Sequence, residues 1–108
     1  TDEVPGFTLH HELALYVRAG LSPAQVLQVA TWNGARYSGV LDTLGSITPG
    51  KVADLVLVDG DPTVDIGDIR KVATVIRGDV AYYPAEIHAE LGVRPFARPL
   101  RAVPGAVR

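Results

Sequence analysis

The apolar pattern of this chain changes period once, near residue 40, and that change limits what the chain can fold into. Upstream, apolar residues recur at helical spacing: Leu9, Leu13, Tyr16 and Val17, then Val26, Leu27, Val29 and Ala30. Downstream they fall in short runs. Gly45-Ser46-Ile47, Asp54-Leu55-Val56-Leu57-Val58, Val72 to Ile76 and Val80-Ala81-Tyr82 read as strands. The Asp54–Val58 run is continuous and rich in β-branched residues, the pattern of a strand covered on both faces. The expected order is therefore helices, then strands, then a helix, in two parts that look like pieces of different layers. A sheet of only three or four strands would leave open edges, which points to missing sequence.

Local signals place the boundaries. A first helix is expected over Phe7 to Ala19, ended by Gly20 in the capping position. Ser22 is a good N-cap for the next helix, Pro23 suits its first position, and Gln25 completes a capping box. Leu21 and Val26 can form a hydrophobic staple across that start, and the helix is expected to reach about Thr31. A short helix over Gly34 to Ser38 stops at Gly39. Thr48-Pro49-Gly50-Lys51 has the residues of a type II turn, with Pro49 fixing one dihedral and Gly50 supplying the positive one. Arg77-Gly78-Asp79 closes a hairpin, and Pro84 opens a last helix over Ala85 to Leu91. The segment from Val93 to Arg108, with Pro95, Pro99, Pro104 and several arginines, reads as an irregular arm.

Composition narrows the function classes. The 108 residues suit one small domain, and 47% apolar content is too high for a disordered chain. A net charge of -2 offers no electrostatic footprint for nucleic acid or an anionic membrane. No apolar run approaches the roughly 20 residues of a membrane helix. Without cysteine there is no disulfide, thiolate metal site or cysteine nucleophile. Thr1 is not a methionine and no signal-peptide pattern follows it, so the chain reads as either a processed protein or a fragment of a longer one; the cytoplasm is the expected compartment.

Several stretches together resemble the amidohydrolase superfamily, in particular its imidazolonepropionase-like and Xaa-Pro dipeptidase-like members. Leu44-Gly45-Ser46-Ile47-Thr48-Pro49-Gly50-Lys51-Val52-Ala53-Asp54-Leu55-Val56 is similar, nearly residue for residue, to that family's Gly-Ser-Ile-x-Pro-Gly-Lys-x-Ala-Asp-Leu-Val signature. Ala30-Thr31-Trp32-Asn33-Gly34-Ala35, Leu9-His10-His11-Glu12-Leu13 with Ala19 to Pro23, Asp59-Gly60-Asp61-Pro62 and Val75 to Gly78 also fit. The resemblance implies an α+β fragment: the last helices of a (β/α)₈ barrel followed by the C-terminal strands of a companion β-sandwich. Residues 1–40 would end the barrel, 41–92 would give the C-terminal share of the sandwich, and 93–108 would form the tail. It implies a parent enzyme that hydrolyses C–N bonds in a small-molecule substrate with water activated by a divalent metal, zinc being the expected ion.

The resemblance makes Asp2 the candidate catalytic and metal-binding residue, since its Thr-Asp pair matches the one that closes the eighth barrel strand. A carboxylate suits both roles, as a hard oxygen ligand and as a proton acceptor at neutral pH. Read from the residues alone, Asp2 is a solvated acid near a terminus. His10 matches a position near the barrel mouth and could bind substrate; the alternative is an exposed or capping histidine on a first helical turn. His10 and His11 point about 100° apart on a helix and cannot easily grip one ion. His88 reads as a surface residue, and Lys51 and Asp54 as structural. Asp59, Asp61 and Asp65 read as turn residues rather than a calcium loop, because Pro62 interrupts them and no bidentate glutamate follows. The family's paired histidines, bridging lysine and later histidine ligands have no counterpart here. The expected partner is therefore the remainder of the hydrolase chain, and the apolar surfaces left without it favour a homo-oligomer. The competing reading is a noncatalytic α+β module that binds protein through its sheet edges and tail.

Overall fold

In the structure, a computed structural model, residues 7–99 are described. Helix α1 (Phe7–Arg18) ends as Gly20 requires: the Gly20 amide donates to the Val17 carbonyl at 3.0 Å and the Leu21 amide to the Tyr16 carbonyl at 3.2 Å. Helix α2 (Pro23–Gln28) opens with the expected capping box. The Gln25 amide donates to Ser22 Oγ at 3.2 Å, and the Ser22 amide donates to Gln25 Oε1 at 2.9 Å. Its axis does not stop near Thr31. It continues through one π-helical turn (Val29–Asn33) into α3 (Gly34–Tyr37). Thr31 Oγ1 donates to the Leu27 carbonyl at 2.7 Å, the back-bonding that short hydroxyl side chains make inside helices.

Three antiparallel strands form one sheet in the order β1 (Asp54–Val58), β2 (Val72–Arg77), β3 (Val80–Tyr82). A 3₁₀ helix (Ile66–Arg70) links β1 to β2, and α4 (Pro84–Glu90) follows β3. The β2–β3 hairpin falls where Arg77-Gly78-Asp79 placed it. The type II turn is present: the Lys51 amide donates to the Thr48 carbonyl at 3.1 Å and Gly50 has φ +93°. Two strand expectations differ from the structure. Gly45-Ser46-Ile47 is a bend rather than a strand, with Ile47 88% exposed. β1 is not covered on both faces: Val56 is 51% and Leu57 47% exposed. A continuous apolar run reports what a strand is built to be buried in, and here the cover is not part of the described residues.

The core lies where the two sequence halves meet. Leu13 of α1, Val26 of α2 and Ile66 of the 3₁₀ helix form its centre, with Ala14, Val17, Leu21, Leu27 and Ile69 packed around them. Leu21 beside Val26 is the expected staple. Burying a side chain such as Val26, which is fully enclosed, stabilises by roughly 1.5–3 kcal/mol. The inward stripe of α1 keeps two of the four expected members, Leu13 and Val17, and differs at the other two. His10, Leu13, Ala14 and Val17 face in, while Leu9 and Tyr16 face out. Central strand β2 supplies the other buried pair, Ala73 and Thr74.

Candidate functional site

Because α1 turns its stripe of positions 10, 13, 14 and 17 inward, His10 is not the exposed histidine that a first helical turn suggests. Its Nδ1 is shut off from solvent and has no hydrogen-bond partner among the described residues. Burial lowers the His10 pKa below the ordinary histidine value, and the positive charge of Arg70 lowers it further. Both effects favour the neutral imidazole, which keeps one ring nitrogen as an acceptor or ligand atom. Arg70 ends the 3₁₀ helix and reaches this place because Ile66 and Ile69 pin that helix against α1. No local signal could have joined residues 10 and 70. His11, one position along the helix, is exposed.

Asp2, the other expected site residue, lies outside the described residues. Among the described residues no three His, Cys, Asp or Glu side chains come together to hold a metal ion. The acidic loop after β1 is structural, as its turn chemistry implied. Asp61 Oδ1 accepts from the Thr63 amide at 3.0 Å and also from the Thr63 hydroxyl. Asp65 Oδ1 accepts from the Gly67 amide at 2.9 Å. Asp68, which the sequence did not single out, closes the loop. Its Oδ2 accepts from the Asp61 amide at 3.0 Å and its Oδ1 pairs with Lys71 Nζ at 2.8 Å. The Lys71 hydrogen bond, then the Asp61 amide, hold the Asp68 carboxyl below the usual carboxylate range. Lys51 is structural too: its Nζ donates to the Leu44 carbonyl at 3.3 Å and to Ser46 Oγ at 2.8 Å, tying the signature turn to the segment before it.

A groove of about 660 Å³ lies between the α3 region and β1. Its walls include Ala35, Val40, Leu44, Val52, Leu55 and Val56, and its only ionisable lining residue is Asp54. That lining is mostly apolar, with a single carboxylate at Asp54. His10 does not border it. Sequence reasoning also missed the Arg36 guanidinium set 5.5 Å from the Trp32 ring centre, which braces the π turn to α3.

Comparison with known proteins decides the family. The family model described as "Amidohydrolase family" matches residues 5–82. The chain belongs to the amidohydrolase family. Adenine deaminase 2 of Jannaschia sp. (strain CCS1) is 36% identical over 72 residues, covering 67% of this amidohydrolase chain and 12% of the deaminase. The adenine deaminase of Rubrobacter xylanophilus is 34% identical over 85 residues, 79% of this chain and 13% of its own length. Among solved structures, a Xaa-Pro dipeptidase with methionine bound in its active site superposes with a TM-score of 0.66 at 35% identity. The match covers 68% of this chain and 18% of the dipeptidase. A second amidohydrolase crystal structure gives 0.61 at 31% identity, covering 68% and 19%. This amidohydrolase chain thus spans less than a fifth of the length of these relatives. Among the described residues no helix is long and apolar enough to cross a membrane.

Proposed function

We propose that this chain is the C-terminal segment of a metal-dependent hydrolase that cleaves C–N bonds in a small-molecule substrate, and that its catalytic centre is completed by the rest of that enzyme. The observation that carries this reading is the family match over residues 5–82 in a chain that covers only 12–13% of the first adenine deaminases it resembles. Residues 1–40 would close the barrel, 41–92 would supply strands to the β-sandwich, and 93–108 would form a tail. Asp2 is assigned as the carboxylate that binds the metal and holds a proton, and His10 as a residue at the substrate's edge. A carboxylate oxygen suits a divalent ion such as zinc. When bound, that ion would lower the pKa of a coordinated water. The described residues do not themselves assemble a metal site, so no catalytic step is assigned to this chain alone. The half-uncovered strand β1 supports the same reading, because a complete small domain would not leave Val56 and Leu57 open.

The test is to express the whole hydrolase and this chain side by side. Both are assayed for divalent metal content and for ammonia or amine release from amide and aminopurine substrates. Metal-dependent release by the whole enzyme, lost in Asp2→Asn and absent from the isolated chain, is expected. Turnover by the isolated chain, or a whole enzyme indifferent to Asp2→Asn, refutes the assignment.

A further inference from the structure

Helix α4 and the segment behind it follow the stretch that matches the family, which ends at residue 82. The surface they make is therefore not one that the family match accounts for. α4 packs against β2, and Pro84, Ala85 and His88 are its half-buried residues. At helical spacing this leaves Ile87, Glu90 and Leu91 away from the sheet. Ile87 is half exposed and Leu91 is 71% exposed.

The chain then turns back on the helix. Gly92 has φ +71°, its amide donates to the Ala89 carbonyl at 3.1 Å, and the Val93 amide donates to the His88 carbonyl at 2.8 Å. These two bonds make a Schellman cap. Phe96 meets the His88 ring edge to face, with centroids 5.8 Å apart. His88, a surface residue by its sequence context, thus anchors the returning arm, and its Nδ1 is shut off from solvent. Val93 and Phe96 stay half exposed, and Arg94 and Arg98 are exposed. The face therefore joins apolar side chains to a carboxylate at Glu90 and guanidinium groups at Arg94 and Arg98. Among the described residues none of these three charges is in an ion pair.

We propose that this face is a two-fold interface with a second copy of the hydrolase. Ile87, Leu91, Val93 and Phe96 form its apolar part, and Glu90 of each copy faces Arg94 and Arg98 of the other. A two-fold contact uses one patch twice, so the patch must complement itself. An apolar surface flanked by both signs of charge does so, whereas a patch of one sign repels its own copy. The mixed charge also selects the occupant: an anionic partner drawn to Arg94 and Arg98 would be repelled by Glu90. The cap at Gly92 and the Phe96–His88 contact hold the arm in place before association, which lowers the ordering cost of binding. The inference goes beyond the proposed catalytic role and concerns a surface separate from β1, which lies inside the matched stretch.

The experiment is sedimentation equilibrium of the whole hydrolase, which reads both mass and association constant. A dimer, or a multiple of one, is expected. Leu91→Asp places a charge in the apolar part at a position too exposed to support the fold, and is expected to weaken the two-fold contact at least about tenfold. Glu90→Arg is expected to weaken it by about as much, and so is Arg94→Glu combined with Arg98→Glu, because each change sets like charges across the axis. Mixed in equal amounts, the Glu90→Arg protein and the Arg94→Glu, Arg98→Glu protein are expected to pair with each other at close to the parent affinity. Every acid then faces a base again, and the recovery shows that both variants have folded. A single-chain mass at all concentrations overturns the proposal. Association untouched by Leu91→Asp and by both charge reversals does so too, as does failure of the two reversed proteins to combine. Turnover and metal content enter none of these readings, so an inactive enzyme that pairs as described would refute the functional reading alone.

Discussion

Gly45 and Gly50 lie five residues apart in the family signature, have nearly the same positive φ, and differ in one respect that mutation can isolate. Gly45 has φ +94° and Gly50 φ +93°, so an alanine at either position is strained by roughly 1–2 kcal/mol. Around Gly50 an added Cβ would meet nothing within 4 Å. At Gly45 it would stand 2.5 Å from the Ala35 Cβ and 3.3 Å from the Thr31 carbonyl oxygen. Carbon atoms pack at about 3.5–4.0 Å, so α3 would have to move by about 1 Å. Overpacking of that size costs roughly 1–3 kcal/mol in addition. Gly50→Ala should therefore cost about 1–2 kcal/mol and Gly45→Ala about 2–5 kcal/mol. Urea unfolding followed by the fluorescence of Trp32, the single tryptophan, reads both, with Trp32 in the π turn beside the contact. Adding Ala35→Gly to Gly45→Ala should restore the packing part, although a helical glycine itself costs about 1 kcal/mol. The two variants then couple favourably in a double-mutant cycle. Equal losses at Gly45 and Gly50, or no coupling with Ala35→Gly, would refute the claim that the signature turn is pressed against α3.

Three further outcomes are expected. The folded-state pKa of His10 is lowered, so the fold binds its proton less tightly than the unfolded chain does. Stability should be full above about pH 6.5, the unfolded value, and fall as pH drops through the folded pKa. His10→Gln should flatten that slope, and Arg70→Gln should raise the His10 pKa in an NMR titration; an unmoved titration would separate the two residues. Asp68 also has a lowered pKa, so the stability it lends is present above the unfolded carboxylate range and lost as pH falls through its folded value. Asp68→Asn should remove that acid-dependent part in urea melts repeated from pH 6 to 3, and an unchanged acid limb would mean that the loop does not depend on the carboxylate. Finally, Ser22→Ala should cost about 1 kcal/mol through loss of the capping box, and a melting point equal to the parent's would show that α2 is held by packing alone.

What could be read from the sequence is what a few neighbouring residues decide among themselves. Ser22, Pro23 and Gln25 fix the start of α2 without reference to the rest of the chain, and Pro49-Gly50 and Arg77-Gly78-Asp79 do the same for their turns. The features that were misread depend on distant partners. Gly45-Ser46-Ile47 has strand-like composition and no strand beside it among the described residues, so it bends. β1 carries the pattern of two covered faces, yet Val56 and Leu57 stay about half exposed among the described residues. The π turn at Val29–Asn33 leaves no compositional trace, because inserting one residue into a helical turn changes the phase of the apolar stripe by one position. Val29 and Ala30, where the helix passes into this turn, are exposed although they continue the spacing of Val26.

The candidate site depends most on the contact that the sequence concealed. The change of apolar period near residue 40 marks a change of element type, and it invites a division into two bodies. The packing does not follow it. Leu13 and Val26 from one side and Ile66 from the other share a single core, and the 3₁₀ helix that carries Ile66 also carries Arg70 to His10. A substitution in the strand half therefore reaches the histidine by two routes, through the position of the 3₁₀ helix and through the charge at its end. Ile66→Ala would open a cavity and let that helix retreat from α1, relieving both the burial and the field that lower the His10 pKa. The resulting rise in the His10 pKa, measured against Ile66→Val, in which most of the volume is kept, distinguishes a rigid seam from two loosely joined parts. If Ile66→Ala left the His10 titration where it was, the strand half would have no hold on the site.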